Sequence, residues 1–568
     1  MSSTPTRGGL LLASRLLLGC LPLAVPGLAY AQQQVQAFDI ASRKLGDVLT
    51  RFAQAAGVPI SFLSQQVAGL NSPGVRGSYS VADGFAQVLA GTGFAATGNA
   101  DGYQLESLPV AGSALSLGAT EITANQLGTI TEGSGSYTPG TIATATRMVL
   151  TPRETPQSIT VITRQHMDDF ALTSIDDVMR HTPGITVSTF DSERNNYYAR
   201  GFSVENFQYD GIPTLRNSAY SSGQTLTDMA IYDRVEILKG ATGLLTGAGA
   251  PGATINLIRK KPTRDFKASV ELGAGSWDNY RSQIDVSGPL TDSGNVRGRA
   301  VAAYQDKHSF MDHYQRNTNV YFGTLEADLT EDTLLTVGFD YQNSDPQGSG
   351  WSGSRALFDR SGNRIDVKRS YNNGAKWSRW EQYSRSAFST LEHNFDNGWV
   401  IKGQYTHQIM GYDAPLGSIM SGPFPATGLS SLYANKFTGN TRADSGDVYA
   451  SGPFSLLGRT HELVIGASAS NSHWTGKDYG APTYVGNNQI DFWNFDGNVP
   501  EPDWGAPTRT IDATTRQSAG YMAARFNLTD DLNLFLGSRV ANYKLRGDDD
   551  STETGKLVPY AGVTYDLN

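Results

Sequence analysis

From residue 263 onward the chain alternates, and that alternation limits its fold more than any other feature. Phe266, Ala268, Val270 and Leu272 alternate with Lys267, Ser269 and Glu271. Tyr280, Ser282, Ile284 and Val286 alternate with Arg281, Gln283 and Asp285. Leu335, Val337, Phe339 and Tyr341 do the same with Thr336, Gly338 and Asp340. A period of two places apolar side chains on one face of a strand and polar ones on the other. After residue 31 no apolar run reaches the roughly 18 residues of a membrane-spanning helix. A chain can still cross a membrane as a β-barrel, lipid outside and a polar lumen inside. The connections alternate as well. Short turns at 330–332, 396–397 and 529–531 suit one rim, and long segments at 344–378, 412–442 and 475–511 suit the other. In an outer-membrane barrel these are the periplasmic and extracellular sides.

Composition agrees. There are 62 Gly and 26 Tyr among 568 residues, with a single Cys, which fits a large β-structure. The formal charge of −9 argues against a nucleic-acid partner. Residues 1–31 read as a secretory signal peptide: Arg7 and Arg15, an apolar core over 16–28, and Ala29-Tyr-Ala31 before the cut. The rival reading is a lipoprotein cut before Cys20, after Leu17-Leu-Gly. With simple cleavage the mature chain has no Cys and no disulfide.

The segment 232–262 contains G-x-G-x-x-G, at Gly247, Gly249 and Gly252. A dinucleotide site needs a helix N-terminus next, so that backbone N–H groups face the pyrophosphate. Here Pro251 lies inside the turn, and the β-branched run Ala253-Thr-Ile-Asn-Leu-Ile258 follows. That run reads as a strand, so the glycines join strand to strand and bind no nucleotide. His308 and His313 flank a predicted loop, where solvated side chains outweigh a metal pair. No hydrolase serine motif or catalytic Cys exists, so the chain reads as no enzyme.

Residues 36–107 show an internal echo. Phe38-Asp-Ile40 precedes an amphipathic helix pattern (Leu45, Val48, Leu49, Phe52, Ala55, Ala56) ended by Gly57, then a strand pattern over 58–62. Gly77-Ser-Tyr79, then Val81, Phe85, Val88 and Leu89 ended by Gly91, repeat that order, with strand patterns at 94–97 and 103–105. These are two βαβ-like halves. Residues 108–150 are Ser/Thr/Gly/Ala-rich and read as a linker. Inside it Ala119, Thr120, Glu121, Ile122, Thr123 and Ala124 form an extended segment suited to strand addition on a partner sheet.

Several ordered motifs carry a family resemblance. They are Thr151-Pro-Arg-Glu-Thr-Pro-Gln-Ser-Ile-Thr-Val-Ile162, Ile175-Asp-Asp-Val-Met-Arg-His-Thr-Pro-Gly184, Tyr198-Ala-Arg-Gly-Phe202, Tyr209-Asp-Gly-Ile-Pro213 and the Lys239-Gly240 to Ile258 stretch. Together they resemble the plug domain of TonB-dependent outer-membrane receptors, with the first barrel strand directly after. Residues 36–107 resemble the secretin/TonB short N-terminal domain of those receptors that also signal, and 119–124 resemble the TonB box by position. The implied fold is mainly β: an outer-membrane antiparallel β-barrel of the 22-strand type, an internal α+β plug (151–262) and a small N-terminal βαβ-repeat signalling domain. The remaining chain, 263–568, reads as about 12 strands, too few to enclose such a plug, so the barrel is expected to be truncated by roughly ten strands.

The resemblance implies active uptake of a ferric siderophore by a monomer in outer-membrane lipid. Its partners are an inner-membrane TonB complex and an anti-sigma regulator, with the N-terminal domain and plug facing the periplasm. The alternative is a truncated, transport-inactive product that keeps only periplasmic signalling. The siderophore itself ligates the iron, so no resident cofactor or metal ligand is expected. Aromatic surfaces and a few polar anchors are expected instead. Tyr209 and Arg216 in the plug, and Trp351, Trp377 and Trp380 in the long-loop region, are the candidates. Plug packing competes for the first pair, and an interfacial aromatic girdle for the tryptophans. Arg234, Glu236 and Lys239 read as ion pairs between plug and barrel wall, because buried charges persist when paired.

Overall fold

The computed structural model describes residues 35–62, 67, 69–99, 102–107, 127–215, 227–240, 242–247, 249–351, 356–480, 489–547 and 549–567. The signal segment 1–31, the 119–124 segment and Arg216 lie outside the described residues. The chain divides into two compact units, Met1–Glu121 and Ile122–Asn568.

The first unit contains β1 (Gln36–Lys44), α1 (Leu45–Ala56), β2 (Ile60–Ser61), β3 (Asn71–Tyr79), α2 (Val81–Val88), β4 (Phe94–Asn99) and β5 (Gly102–Ser107). Gly57 ends α1 in the left-handed region, at φ 70°, where a side chain would be strained. Ser80 caps α2 by accepting from the Asp83 N–H. The two halves are interlaced rather than side by side. β1 pairs antiparallel with β3, the leading strand of the other half, and β2 pairs parallel with β5. Each half therefore completes the other's sheet. The core between them is aromatic: Phe52 lies 4.6 Å from Phe38 and 4.7 Å from Phe85 by ring centroid. A Cβ on Gly84 would collide with the Phe52 ring, so helix α2 sits against it without a spacer.

The second unit begins with the plug. Its elements are β6 (Ser158–Ile162), α3 (Arg164–Asp169), α4 (Ile175–His181), β7 (Ile185–Thr189), β8 (Asn195–Ala199), β9 (Phe202–Ser203), β10 (Asn206–Tyr209), β11 (Ile212–Leu215), β12 (Tyr232–Lys239), α5 (Gly243–Thr246) and β13 (Ala253–Arg259). Five strands form one sheet in the order β11-β10-β13-β12-β6. Met167, Val178 and Met179 from the helices pack with Val235, Ile237, Ile255 and Leu257 from the sheet. A capping box at Ser174 and Asp177 starts α4. The glycine-rich turn does join two antiparallel strands, β12 and β13, by way of the one-turn α5. Gly252 is required there because a Cβ would meet the Ser203 carbonyl.

The wall is a 12-stranded antiparallel sheet. Its strands are β14 (Lys267–Gly275), β15 (Asn279–Pro289), β16 (Val296–His308), β17 (Gln315–Thr330), β18 (Thr333–Gln347), β19 (Glu381–Asn394) and β20 (Val400–Ile419). After the two-residue β21 (Leu429–Ser430) come β22 (Leu432–Leu456) and β23 (Arg459–Asp478). The two-residue β24 (Ile490–Asp491) pairs with β21, and β25 (Arg509–Asn527), β26 (Leu532–Arg546) and β27 (Ser551–Tyr565) complete the wall. Val270, Leu272, Ile284 and Phe339 point outward and are exposed, whereas Asp285, Thr336 and Asp340 point inward and are buried. That is the dyad expected of a barrel wall.

One expected loop is mostly strand. Residues 412–442 read as a long connection, but β20 and β22 stay paired from Asn440 opposite Gly411 up to Leu432 opposite Ile419. Only 420–428 and Ser431 lie outside the strands. Along 412–419 both faces of β20 are largely covered, with Ala414, Leu416 and Ile419 all buried. Two covered faces leave no alternation to detect.

Phe52→Ala is expected to cost about 3–5 kcal/mol, the usual range for removing a buried ring. Hydrogen exchange on the full chain checks this: protection over 36–107 should fall while that of the plug sheet stays unchanged.

Candidate functional site

The plug meets the wall through buried charge. Arg259, the last residue of β13, forks between Asp210 of the plug (2.8 Å) and Asp340 of β18 (2.9 Å). Its guanidinium also lies 4.4 Å from the Phe388 ring centroid and 5.4 Å from that of Tyr209. Lys260 reaches Asp285 at 2.9 Å, and Arg299 joins Asp285 to Glu132 at 2.6 Å each. Arg281 pairs with Asp228 at 2.7 Å and Arg147 with Asp447 at 3.2 Å. A buried charge that loses its partner costs several kcal/mol, so these pairs fix the plug's position.

Arg234, Glu236 and Lys239 take no part in that contact. Arg234 pairs within the plug, with Glu236 at 2.6 Å and Asp233 at 2.9 Å, and donates to the Leu127 carbonyl. Glu236 accepts from Thr144, and Asp233 accepts from the Thr131 and Glu132 backbones. This cluster therefore ties the entering segment to the plug sheet. Lys239 donates to Thr160 and the Pro183 carbonyl, both at 2.9 Å. Burial, then Arg200, lower its pKa. Asp233, Arg234 and Glu236 all lie on β12, so these ion pairs run along one strand of the plug and do not reach the wall.

The four candidate ligand residues among the described residues separate. Tyr209 is buried against Arg259 and Tyr232, and burial pushes its phenol up to about 12. Its position is that of plug packing. Trp380 is 1% exposed, with Tyr412, Ala414, Leu416 and Phe437 around it and Trp351 packed against the same cluster. Trp351 keeps accessible surface, with its ring edge-on to Phe437 at 5.6 Å. Trp377 belongs to a neighbouring loop cluster and lies edge-on to Trp504 at 6.0 Å. Gly417 admits it, since a Cβ there would strike the indole. Trp351 and Trp377 are thus the candidates with open ring surface.

Sequence reasoning missed the hairpin turn between β7 and β8. Arg194 is held by Asp191 (2.5 Å), and its guanidinium lies 4.6 Å from the Phe190 centroid and 4.8 Å from that of Trp380. Glu193 accepts from Tyr314 at 2.8 Å. Ser192 donates to the Gly350 carbonyl at 3.1 Å. The turn therefore locks the plug to the long-loop rim. Its only signal was three charges in a short turn, Asp191, Glu193 and Arg194. The rim as a whole offers indole faces and cationic edges, suited to a planar ligand with acidic groups.

A plug fixed by buried ion pairs to the inner face of an antiparallel wall is the arrangement of a plugged membrane receptor. The profile of the TonB-dependent Receptor Plug Domain matches residues 151–254, and that of the TonB-dependent receptor-like β-barrel matches 321–568. The chain belongs to the TonB-dependent receptors of the outer membrane. It is 61% identical over 551 residues to the ferripyoverdine receptor of Pseudomonas aeruginosa, covering 96% of this chain and 68% of that protein. It is 41% identical to the ferric-pyoverdine BN7/BN8 receptor of Pseudomonas putida, over 96% of this chain and 69% of that one. The crystal structure of the Pseudomonas aeruginosa receptor bound to ferripyoverdine matches with a TM-score of 0.76 at 59% identity, covering 94% of this chain and 69% of that chain. A complex of FpvAI with pyocin S2 matches with a TM-score of 0.77 at 61% identity, covering 94% and 70%. These relatives are receptors, not enzymes.

Two outcomes are expected. Trp380→Ala should cost about 3–5 kcal/mol, whereas Trp351→Ala should cost far less. Thermal unfolding of the two variants compares them. Burial by itself would raise the Glu132 carboxyl, but the Arg299 guanidinium outweighs it and holds the group below its ordinary value of 4.5. A depressed carboxylate stabilises above its unfolded pKa and loses that contribution as pH falls through the folded one. Protease cleavage within 127–137 should therefore rise below about pH 4.5, and Glu132→Gln should show that cleavage already at neutral pH.

Proposed function

We propose that the chain is a receptor for TonB-dependent active uptake of a ferric siderophore of the pyoverdine class. The observation that carries this is the 61% identity to a ferripyoverdine receptor across nearly the whole chain. The plug, pinned by buried ion pairs, obstructs passive flow and so favours energised transport over a porin. Trp351 and Trp377 stack on the chelate's planar part, and Arg216 pairs with an acidic group. The iron arrives ligated by the siderophore, and the protein supplies no metal ligand.

Ligand binding at the rim releases the 119–124 segment to the periplasm. There it adds as a strand to the TonB protein of the inner-membrane complex, which pulls using proton-motive force. Residues 36–107 contact an anti-sigma regulator and report occupancy.

Deleting 119–124 tests the mechanism. Cells should still bind the labelled ferric siderophore but take up none of it. Unchanged uptake would overturn energised transport. No uptake from the undeleted chain, with regulator binding retained, would favour the signalling-only alternative.

A further inference from the structure

The outward face of the wall carries unpaired charge where its apolar band ends. Tyr521, Ala523 and Phe535 point inward and pack with Leu244 and Leu245 of the plug. The other parity points outward, where Ile465, Met522 and Val540 are half-exposed. On that face Phe454, His461 and Phe526 cluster at the short-turn end, with ring centroids 5.2 to 6.0 Å apart. A strand tilted by about 40° climbs about 26 Å between Phe526 and Arg516, close to the roughly 25 Å height of a barrel's apolar band. Arg516 therefore stands at the long-loop border of that band, at the level of lipid headgroups.

Arg516 of β25 and Lys544 of β26 are direct cross-strand partners, so two exposed cations stand with Cβ atoms about 5 Å apart. Like charges so placed repel, and an anion between them removes that cost. Lys544 makes no hydrogen bond or ion pair among the described residues. Arg516 donates only from Nε, to the neutral Asn471 at 3.1 Å. The acids nearby are taken. Asp444 accepts from Tyr405 at 2.6 Å and lies 2.8 Å from His407 Nδ1, and Asp512 lies 2.8 Å from His473 Nε2. Asp550 pairs with Arg546 at 3.1 Å and Glu553 with Lys556 at 2.8 Å. Next to the two cations the wall is hollow, with an open groove of about 940 Å³. Its floor is small side chains in register, Gly446 opposite Ala469 and Ala469 opposite Ser518, with Tyr405 and Val448 beside them.

We propose that this groove binds one phosphate-bearing lipid of the outer leaflet. The phosphate bridges Arg516 and Lys544, the first as a fork and the second as a point charge. An acyl chain lies along Gly446, Ala467 and Ala469. Charge complementarity selects the phosphate, and the small-residue floor, running from the cations into the apolar band, selects a lipid over a soluble anion. The groove lies on the outside of the wall, whereas plug and tryptophans lie within it, so the inference does not depend on the siderophore reading.

Native mass spectrometry of the full chain in non-ionic detergent tests it. Dimyristoyl phosphatidate should bind saturably as one copy. Dimyristoylglycerol, the same chains without the phosphate, should bind at least about tenfold more weakly, the worth of a hydrogen bond to a charged group. Inorganic phosphate at equal concentration should not displace phosphatidate. Arg516→Gln and Lys544→Gln should each weaken phosphatidate by about fivefold, the worth of one cation beside an anionic lipid. Ala469→Leu, which fills the floor, should weaken it as well. Arg385→Gln, at an outward cation of β19 outside the groove, should leave it unchanged. All four positions are exposed, so folding does not hinge on them. Equal binding of phosphatidate and the diglyceride, displacement by phosphate, wild-type affinity in either cation variant of the groove, an equal loss in Arg385→Gln, or a protein dimer in place of the lipid adduct would overturn the proposal.

Discussion

Arg259 stands where the plug ends and the wall begins, and the arrangement of the lumen follows from the charge it carries. A buried guanidinium must be compensated on every side. Here it is compensated by one carboxylate from the plug, one from the wall and the faces of two aromatic rings. The next residues continue the pattern, Lys260 to Asp285 and Lys261 to Glu326. The connection from plug to wall is thus anchored by successive cations meeting acids on different strands. Such pairs gain little net stability over an apolar core, but they are expensive to break singly. That suits an element that must stay registered inside a polar lumen.

The rim obeys a different logic. There the plug contributes a turn, 190–194, rather than a sheet. It interlocks with the wall through one stacked guanidinium, one buried acid and one backbone contact. The same turn supports Trp380 on one side and lines a cavity beside α4 on the other. The turn is itself tightly bonded: Asp191 accepts from the Arg194 N–H and guanidinium, and the Phe190 N–H donates to the Arg194 carbonyl.

Much of this was legible in the sequence. The wall strands, the short turns at 330–332, 396–397 and 529–531, and the strand after the glycine-rich turn all follow from period and turn chemistry. The candidate site was less so. Tyr209 carries a plug motif, yet nothing local shows that it lies beneath Arg259 rather than facing a ligand. Trp377 and Trp380 are three residues apart and look equivalent. They enter different clusters because Gly417 makes room for one and Arg194 caps the other. Residues 412–419 lost their alternation because loop residues cover the face that would otherwise show it.

The sequence by itself determined most of the wall strands outside 412–442, which face of each is apolar, and where the two N-terminal helices start and stop. These depend on residue order within a few positions, through side-chain period, caps and glycine conformations. The tertiary structure alone decided which charges are partners, how the two N-terminal halves interlace, and which aromatic rings remain open. Those outcomes depend on residues far apart in the chain arriving at the same place. Burial and pairing are properties of the assembled neighbourhood and leave no local pattern in the sequence.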